Sequence, residues 1–184
     1  MFEIKILDTR QTTLDELIQK YEKLPSSRKE KVDKLQNESQ KIVAIEAYHL
    51  VTEMLGLNTF PEFETTEFGK PYISGKRQFN ISHSKGVIVV ATSDDPVGVD
   101  IEKQKEFSDS LSSRIFSSEE QKTAKETNNL NKEFLKLWVQ KESLIKLEGK
   151  TIATNLKTVL KNKNDYNFTF FEYEDFEICV CQKK

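Results

Sequence analysis

Apolar residues alternate with glycine and carboxylates from Val97 to Glu102, a segment that follows turn residues at positions 93–96 and limits the folds open to this chain. With the two-residue period of a β-strand, its apolar residues face one side of a sheet and Gly98, Asp100 and Glu102 face the other. The two carboxylates then point the same way, about 7 Å apart by strand rise, and each can offer oxygen to one hard cation or one water. The glycine beside them leaves room for something large. An ordinary solvated strand face is the alternative interpretation.

A second polar feature lies just upstream, where a strand expected over residues 79–84 ends in Ser82-His83-Ser84. Gly86 then allows the chain to reverse into an apolar strand over residues 87–91. Hydroxyls, backbone N–H groups and one imidazole at such a rim suit a phosphate oxygen, because several short donors can converge there. A simple turn is the alternative.

The strongest physical signal is a helix expected over residues 131–149. Its apolar residues define one sector of the helical wheel, and both Lys141 and Glu142 fall inside that sector. A buried charge is costly unless it is paired or bound to a ligand. Lys146 lies one turn after Glu142, where it can keep the carboxylate ionised or neutralise a phosphate. A purely structural Lys–Glu pair is the alternative.

Hydrophobic periodicity and turn residues predict the remaining elements. Helices are expected to begin at Thr12/Thr13, after Pro25 and at Ser117, and a long helix is expected from Asn37 to its end at Gly56. The expected strands outside the central region cover residues 2–7, 156–160, 166–172 and 176–180.

Composition excludes several classes of protein. The 184 residues suffice for one real core, and 28 Lys and Arg against 30 Asp and Glu argue against a nucleic-acid binder. No apolar run approaches the ~20 residues that a membrane span needs, and the first residues lack the pattern of a signal peptide, so a cytoplasmic location is expected. Cys179 and Cys181 alternate in a strand and are expected to be reduced side chains.

A set of short motifs then resembles one family. The segments are Gly-Lys-Pro at 69–71, Phe-Asn-Ile-Ser-His-Ser at 79–84, Gly-Val-Asp-Ile-Glu at 98–102, Phe-Ser-Ser-Glu-Glu at 116–120 and Trp-Val-Gln-Lys-Glu-Ser-Leu-Ile-Lys-Leu-Glu-Gly at 138–149. Their order and approximate spacing resemble the 4′-phosphopantetheinyl transferase superfamily, and the Sfp-type branch is the most similar.

The resemblance implies an α+β fold for a single domain over residues 1–184. In that fold two similar α/β lobes, about 1–97 and 98–184, are related by a pseudo-twofold axis, and the active site lies in the cleft between them. The implied protein is a monomer that binds neither nucleic acid nor membrane.

The implied activity is transfer of the 4′-phosphopantetheine arm of coenzyme A to a serine of an acyl or peptidyl carrier protein, with release of 3′,5′-ADP. By the same resemblance, Asp100, Glu102 and Glu142 hold Mg²⁺, for which Mn²⁺ could substitute, and Glu142 is also the general base. Lys146 and Lys141 face the phosphates. The other residues expected to bind coenzyme A are Arg28, Lys31, Lys41, Lys70, Ser82 and His83.

Two rival functions are a Mg²⁺-dependent hydrolase of the coenzyme A diphosphate and a non-catalytic module that binds coenzyme A or a carrier. The chain departs from the family pattern at residues 151–154 and at Gln121, where an aromatic residue often stands. Both segments shape the surface near the carrier, so these departures bear on carrier choice. The pathway served, whether fatty-acid or secondary-metabolite synthesis, does not follow from the motifs.

Overall fold

The structure is a computed structural model that describes residues 1–150 and 155–184. The chain forms two compact units, Met1–Asp95 and Pro96–Lys184, and each combines α-helices with antiparallel β-sheet. The mixed α and β character agrees with the sequence prediction. The departure at residues 151–154 lies outside the described residues. Within the described part of the chain, every helix is too short or too polar to cross a membrane.

The first unit is built on a three-stranded antiparallel sheet in which β5 lies between β1 and β4. A separate short hairpin pairs β2 with β3. The elements, in chain order, are β1 (Phe2–Asp8), α1 (Leu14–Glu22), α2 (Ser26–Asp33), α3 (Glu38–Met54), β2 (Glu64–Thr65), β3 (Pro71–Tyr72), β4 (Gln78–Ser84) and β5 (Val87–Ser93).

The long helix α3 packs on this sheet, as its apolar stripe predicts. The Asn37 side chain caps the first turn by accepting a hydrogen bond from the backbone N–H of Ser39, and the helix ends before Gly56, whose φ of +62° is left-handed. The core between helix and sheet contains Ala47, Leu50, Val51, Phe79, Ile88 and Val90.

The second unit repeats this order of elements: one strand, then helices, then a hairpin whose last strand becomes the centre of the sheet. Its sheet order is β6-β8-β7, with all neighbours antiparallel. The elements are β6 (Val97–Lys103), α4 (Asp109–Ile115), α5 (Ser118–Lys125), α6 (Leu130–Glu148), β7 (Tyr166–Tyr173) and β8 (Phe176–Lys183).

The strand predicted over residues 156–160 is wrong. The chain instead forms 3₁₀ turns from Leu156 to Asp165. Asn155 explains the difference, because its side chain accepts a hydrogen bond from the backbone N–H of Lys157 and its carbonyl accepts one from the Thr158 hydroxyl. Such local bonds offer the backbone an alternative to strand pairing.

Candidate active site

The centre of the second unit is the contact between β6 and α6. A β-carbon built on Gly98 would lie 2.0 Å from the carbonyl oxygen of Ser143 and 2.5 Å from the backbone nitrogen of Leu147. The room that Gly98 leaves is therefore filled by the backbone of α6. Because only glycine permits this approach, the α6 side chains just before those two contact residues are brought toward the Asp100 side of β6.

Asp100 and Lys146 form an ion pair across this contact. The Lys146 ammonium lies 2.6 Å from Asp100 Oδ1. Asp100 is buried, at 4% exposure, whereas more than a quarter of the Lys146 side chain is exposed. The lysine therefore reaches from the surface to a carboxylate that the fold has removed from water.

Glu142, one turn before Lys146, is also buried, at 6% exposure. Its Oε1 has no hydrogen-bond partner among the described residues. Burial, followed by the negative charge of Asp100, raises its pKa from the ordinary value of 4.5 to about 7, although Lys146 opposes the shift. The prediction that Glu142 lies on a buried face of α6 is confirmed.

Glu102 lies at the more open end of the same face of β6. The indole N–H of Trp138 donates a hydrogen bond to its Oε1 at 3.4 Å, and the Lys105 ammonium is 3.8 Å from its Oε2. Lys105 also lies 5.0 Å from the Trp138 ring centroid. The charge of Glu102 raises the pKa of Glu142, and the charge of Lys105 lowers it. The sequence did not predict a role for Lys105, because its spacing does not distinguish it from other surface lysines.

Lys141 lies in a different environment from the one expected. Its side chain is fully buried, and its ammonium lies 2.7 and 2.9 Å from the two carboxylate oxygens of Glu120 and 2.7 Å from the carbonyl of Leu156. These three acceptors use the three donors of an ammonium, so Lys141 has none left for a phosphate. The structure thus corrects the expected phosphate contact, and the structural alternative applies to Lys141 with Glu120 as its partner.

The sequence did not identify Glu120 as the partner of Lys141. Glu120 completes the capping box of α5, in which its carboxylate accepts from the backbone N–H of Ser117 and the Ser117 hydroxyl accepts from the backbone N–H of Glu120. The capping box was visible in the sequence. The ion pair with Lys141 was not, because the two residues lie 21 positions apart.

Asp100, Glu102 and Glu142 provide carboxylate oxygens of the kind that a divalent cation binds. Among residues 1–150 and 155–184, no three His, Cys, Asp or Glu side chains form a ready-made metal cage. Nevertheless, Asp100 and Glu102 are close enough to Glu142 to raise its pKa, and the buried Oε1 of Glu142 has no donor within the described chain. Carboxylate oxygens with this surplus of negative charge suit a hard cation such as Mg²⁺.

The first unit contains the basic residues expected to bind a nucleotide. Arg28, on α2, donates to the carbonyl of Ala44 at 3.2 Å, and its guanidinium lies 5.4 Å from the Tyr48 ring centroid and 6.0 Å from that of Phe63. Burial lowers its pKa. Its Nε is buried without an acceptor in the described residues, which is a physical reason to expect an anion there.

The other basic positions of this unit differ in exposure. Lys31, on α2, is exposed, and Lys41, in α3, is half-buried. Lys70 follows the left-handed Gly69, and its backbone N–H donates to the Thr66 hydroxyl at 3.1 Å. Burial lowers the Lys70 pKa. The sequence prediction that Lys70 lies on a tight turn is confirmed.

The rim residues of β4 do not share a face. Ser82 pairs with Val89 and is buried, whereas His83 pairs with Ile88 and is exposed. Because successive residues of a strand point to opposite sides, the two side chains lie on opposite faces of the sheet. A single ligand could meet both only where the strand ends.

Comparison with known proteins gives consistent relatives. A family model described as the 4′-phosphopantetheinyl transferase superfamily matches residues 96–183. The 4′-phosphopantetheinyl transferase Sfp of Bacillus subtilis strain 168 is 41% identical over 98 residues, which cover 51% of this chain and 44% of that protein. The 4′-phosphopantetheinyl transferase ffp of Bacillus subtilis is 39% identical over 112 residues, covering 58% and 50%. The enzyme psf-1 of Bacillus pumilus is 33% identical over 140 residues, covering 73% and 60%.

This chain therefore matches about half the length of its curated relatives. The matched region includes β6 and α6, which carry the buried carboxylates and Lys146. The sequence resemblance is thereby confirmed: residues 96–183 belong to the 4′-phosphopantetheinyl transferase superfamily, and the relatives that match are of the Sfp type.

Proposed function

We propose that this protein transfers the 4′-phosphopantetheine arm of coenzyme A to a serine hydroxyl of an acyl or peptidyl carrier protein. The observation that carries the proposal is the buried Glu142, whose pKa is raised to about 7 beside Asp100, within the region that matches the family. Perturbed carboxylates of this kind concentrate at functional sites.

Glu142 is the proposed general base. A group with a pKa near 7 exists partly as the carboxylate at neutral pH yet binds a proton well, which is the balance that general-base catalysis requires. Glu142 accepts the proton of the serine hydroxyl as the serine oxygen forms a bond to the phosphorus that carries the pantetheine arm. The bond between that phosphorus and the diphosphate oxygen of the departing 3′,5′-ADP breaks. Lys146 neutralises charge on the diphosphate oxygens during this exchange.

Asp100, Glu102 and Glu142 are the proposed ligands of a divalent cation. When bound, Mg²⁺ or Mn²⁺ would supply neutralisation of the diphosphate charge. The carboxylates themselves provide the hard oxygen atoms and the negative potential that such an ion requires.

The first unit is the proposed binding region for the nucleotide part of coenzyme A. Arg28, with its buried Nε, is the best-supported contact for a phosphate, and Lys31, Lys41, Lys70, Ser82 and His83 are further proposed contacts. In this proposal the two units are pseudo-twofold lobes of a monomer, and coenzyme A lies in the cleft between them. Lys141 is left out because Glu120 and Leu156 already occupy its ammonium.

The test is the intact mass of a panel of apo carrier proteins after incubation with this protein, coenzyme A and Mg²⁺. A gain of one phosphopantetheine group, lost in EDTA and in Glu142→Gln, would support the proposal. Glu148→Gln is the matched control, because Glu148 lies on the same helix but pairs with Lys150 and Tyr166 instead. Cleavage of coenzyme A without any gain in carrier mass would favour the hydrolase.

A further inference from the structure

The ion pair between Lys146 and Asp100 has a consequence for cation binding. The ammonium is 2.6 Å from Asp100 Oδ1, and its charge also lowers the pKa of Glu142, so it lies near two of the carboxylates proposed as cation ligands. A divalent cation at these carboxylates would meet this positive charge at close range. A cation would have to displace the ammonium from Oδ1 or bind the other oxygen of the same carboxylate beside it, and in either position the two positive charges repel.

We propose that Lys146 and a divalent cation compete for Asp100, so that Lys146 keeps cation affinity low until a phosphate-bearing ligand draws the lysine away. This inference rests on the proposed function for the identity of the cation ligands. It adds that Lys146 opposes the cation in the free protein and assists the reaction only after it has moved.

The lysine is built for such a movement. Its ammonium is carried on a flexible four-carbon stem, and more than a quarter of its side chain is exposed, whereas Asp100 is held in β6 and buried. Phosphate oxygens bind an ammonium in charge-assisted hydrogen bonds of the same kind as the carboxylate does. A diphosphate can therefore replace Asp100 as the partner of Lys146 without leaving the ammonium unpaired.

Thermodynamic linkage then makes the binding of the two ligands cooperative. If a phosphate ligand removes Lys146 from Asp100, it raises cation affinity, and by reciprocity the cation raises affinity for the phosphate ligand by the same factor. The cation would bind weakly to the free protein and more tightly once the phosphate is present. This order would favour assembly of the complete site only with substrate.

The test is a titration of the free protein with Mn²⁺, followed by electron paramagnetic resonance of the unbound ion. Lys146→Met removes the competitor, and Lys146→Gln keeps a neutral hydrogen-bond donor, with circular dichroism to check that both variants fold. If the lysine leaves Asp100 about one tenth of the time, both variants should bind Mn²⁺ about tenfold more tightly than the wild type. A merely structural role for Lys146 predicts weaker binding or none.

Lys150→Met is the matched control. It removes the same charge from a nearby lysine that pairs with Glu148, so its Mn²⁺ affinity should equal that of the wild type. Asp100→Asn added to Lys146→Met should abolish the gain. The proposal is overturned if the Lys146 variants bind no more tightly than the wild type, or if Lys150→Met gains as much.

The outcomes separate this inference from the proposed function. Mn²⁺ binding that does not tighten in the Lys146 variants rejects the competition, and the carrier mass assay can still show transfer. If neither the wild type nor the variants bind Mn²⁺, the competition and the proposed cation ligands are both rejected.

Discussion

Replacement of Glu142 by glutamine should make the protein more stable at alkaline pH while abolishing most of the transfer. Burial and the charge of Asp100 raise the Glu142 pKa from 4.5 to about 7 in the folded protein. The unfolded chain exposes the same carboxyl to water, where its ordinary pKa applies. Glutamine keeps the shape of the side chain and carries no charge at any pH, so it escapes the cost of ionising a buried group.

The sign and size of the effect follow from proton linkage. Between pH 4.5 and 7 the folded protein binds more protons at Glu142 than the unfolded chain does, so the free energy of unfolding falls as the pH rises. At about 1.4 kcal/mol for each pH unit, the full cost is about 3 kcal/mol above pH 7 and vanishes below pH 4.5. Glu142→Gln should therefore gain up to about 3 kcal/mol over the wild type at pH 8, and much less at pH 4.5.

The assay is urea denaturation of both proteins at pH 4.5, 6 and 8 in EDTA, followed by two spectroscopic probes to test for a single transition. Glu148→Gln is the control of opposite sign. Burial raises the Glu148 pKa, but the bonds to Lys150 and Tyr166 together outweigh it and leave the pKa below 4.5, so this variant should be less stable than the wild type above pH 4.5. A stability difference for Glu142→Gln that stays constant across the pH range would refute the assigned environment of Glu142.

Other consequences of the structure can be measured in the same way. The transfer rate should rise with pH as Glu142 loses its proton to act as the base, with a midpoint below pH 7, because a divalent cation at these carboxylates lowers the Glu142 pKa from its metal-free value of about 7; a flat pH profile would remove Glu142 from that role. Gly98→Ala should lower the free energy of unfolding by about 3 kcal/mol, the upper end of the usual overpacking cost, because its β-carbon would overlap the α6 backbone. Lys141→Met should cost about 3 kcal/mol in urea denaturation by leaving Glu120 unpaired, and the double variant with Glu120→Gln should lose less than the sum of the two single changes. Ser117→Ala should cost about 1 kcal/mol in the same assay through the lost cap of α5.

Much of the fold could be predicted because its signals are local. The apolar stripes of α3 and α6, the capping residues before α1 and α5, and the alternation along β6 each depend on residues within a few positions of one another. The failed strand prediction at residues 156–160 has a local cause as well, because the Asn155 side chain bonds the following backbone and offers it an alternative to strand pairing. Burial of Glu142 was predictable for the same reason, since helical periodicity assigns its face.

What could not be predicted depends on contacts between distant parts of the chain. The helical wheel places Lys141 in a buried sector, but it does not reveal that Glu120 lies there to receive it. Likewise, Gly98 indicates that another group approaches β6 closely, but the sequence does not identify that group, which is the α6 backbone. Position on an element could be read from the sequence, whereas the partner across the interface needed the three-dimensional structure.

Lys141 and Glu142 are adjacent in α6, but their surroundings compensate their charges to different extents. Lys141 has three acceptors around its ammonium, so its burial is compensated and it fixes α5 and the 3₁₀ segment against α6. Glu142 has a buried oxygen without a donor in the described residues, and two nearby carboxylates increase the cost of its charge. Glutamine at position 142 would serve packing better. The proposed base must remain ionisable, and in the folded protein this costs stability. The stability of Glu142→Gln and its loss of transfer should therefore be measured on the same preparation.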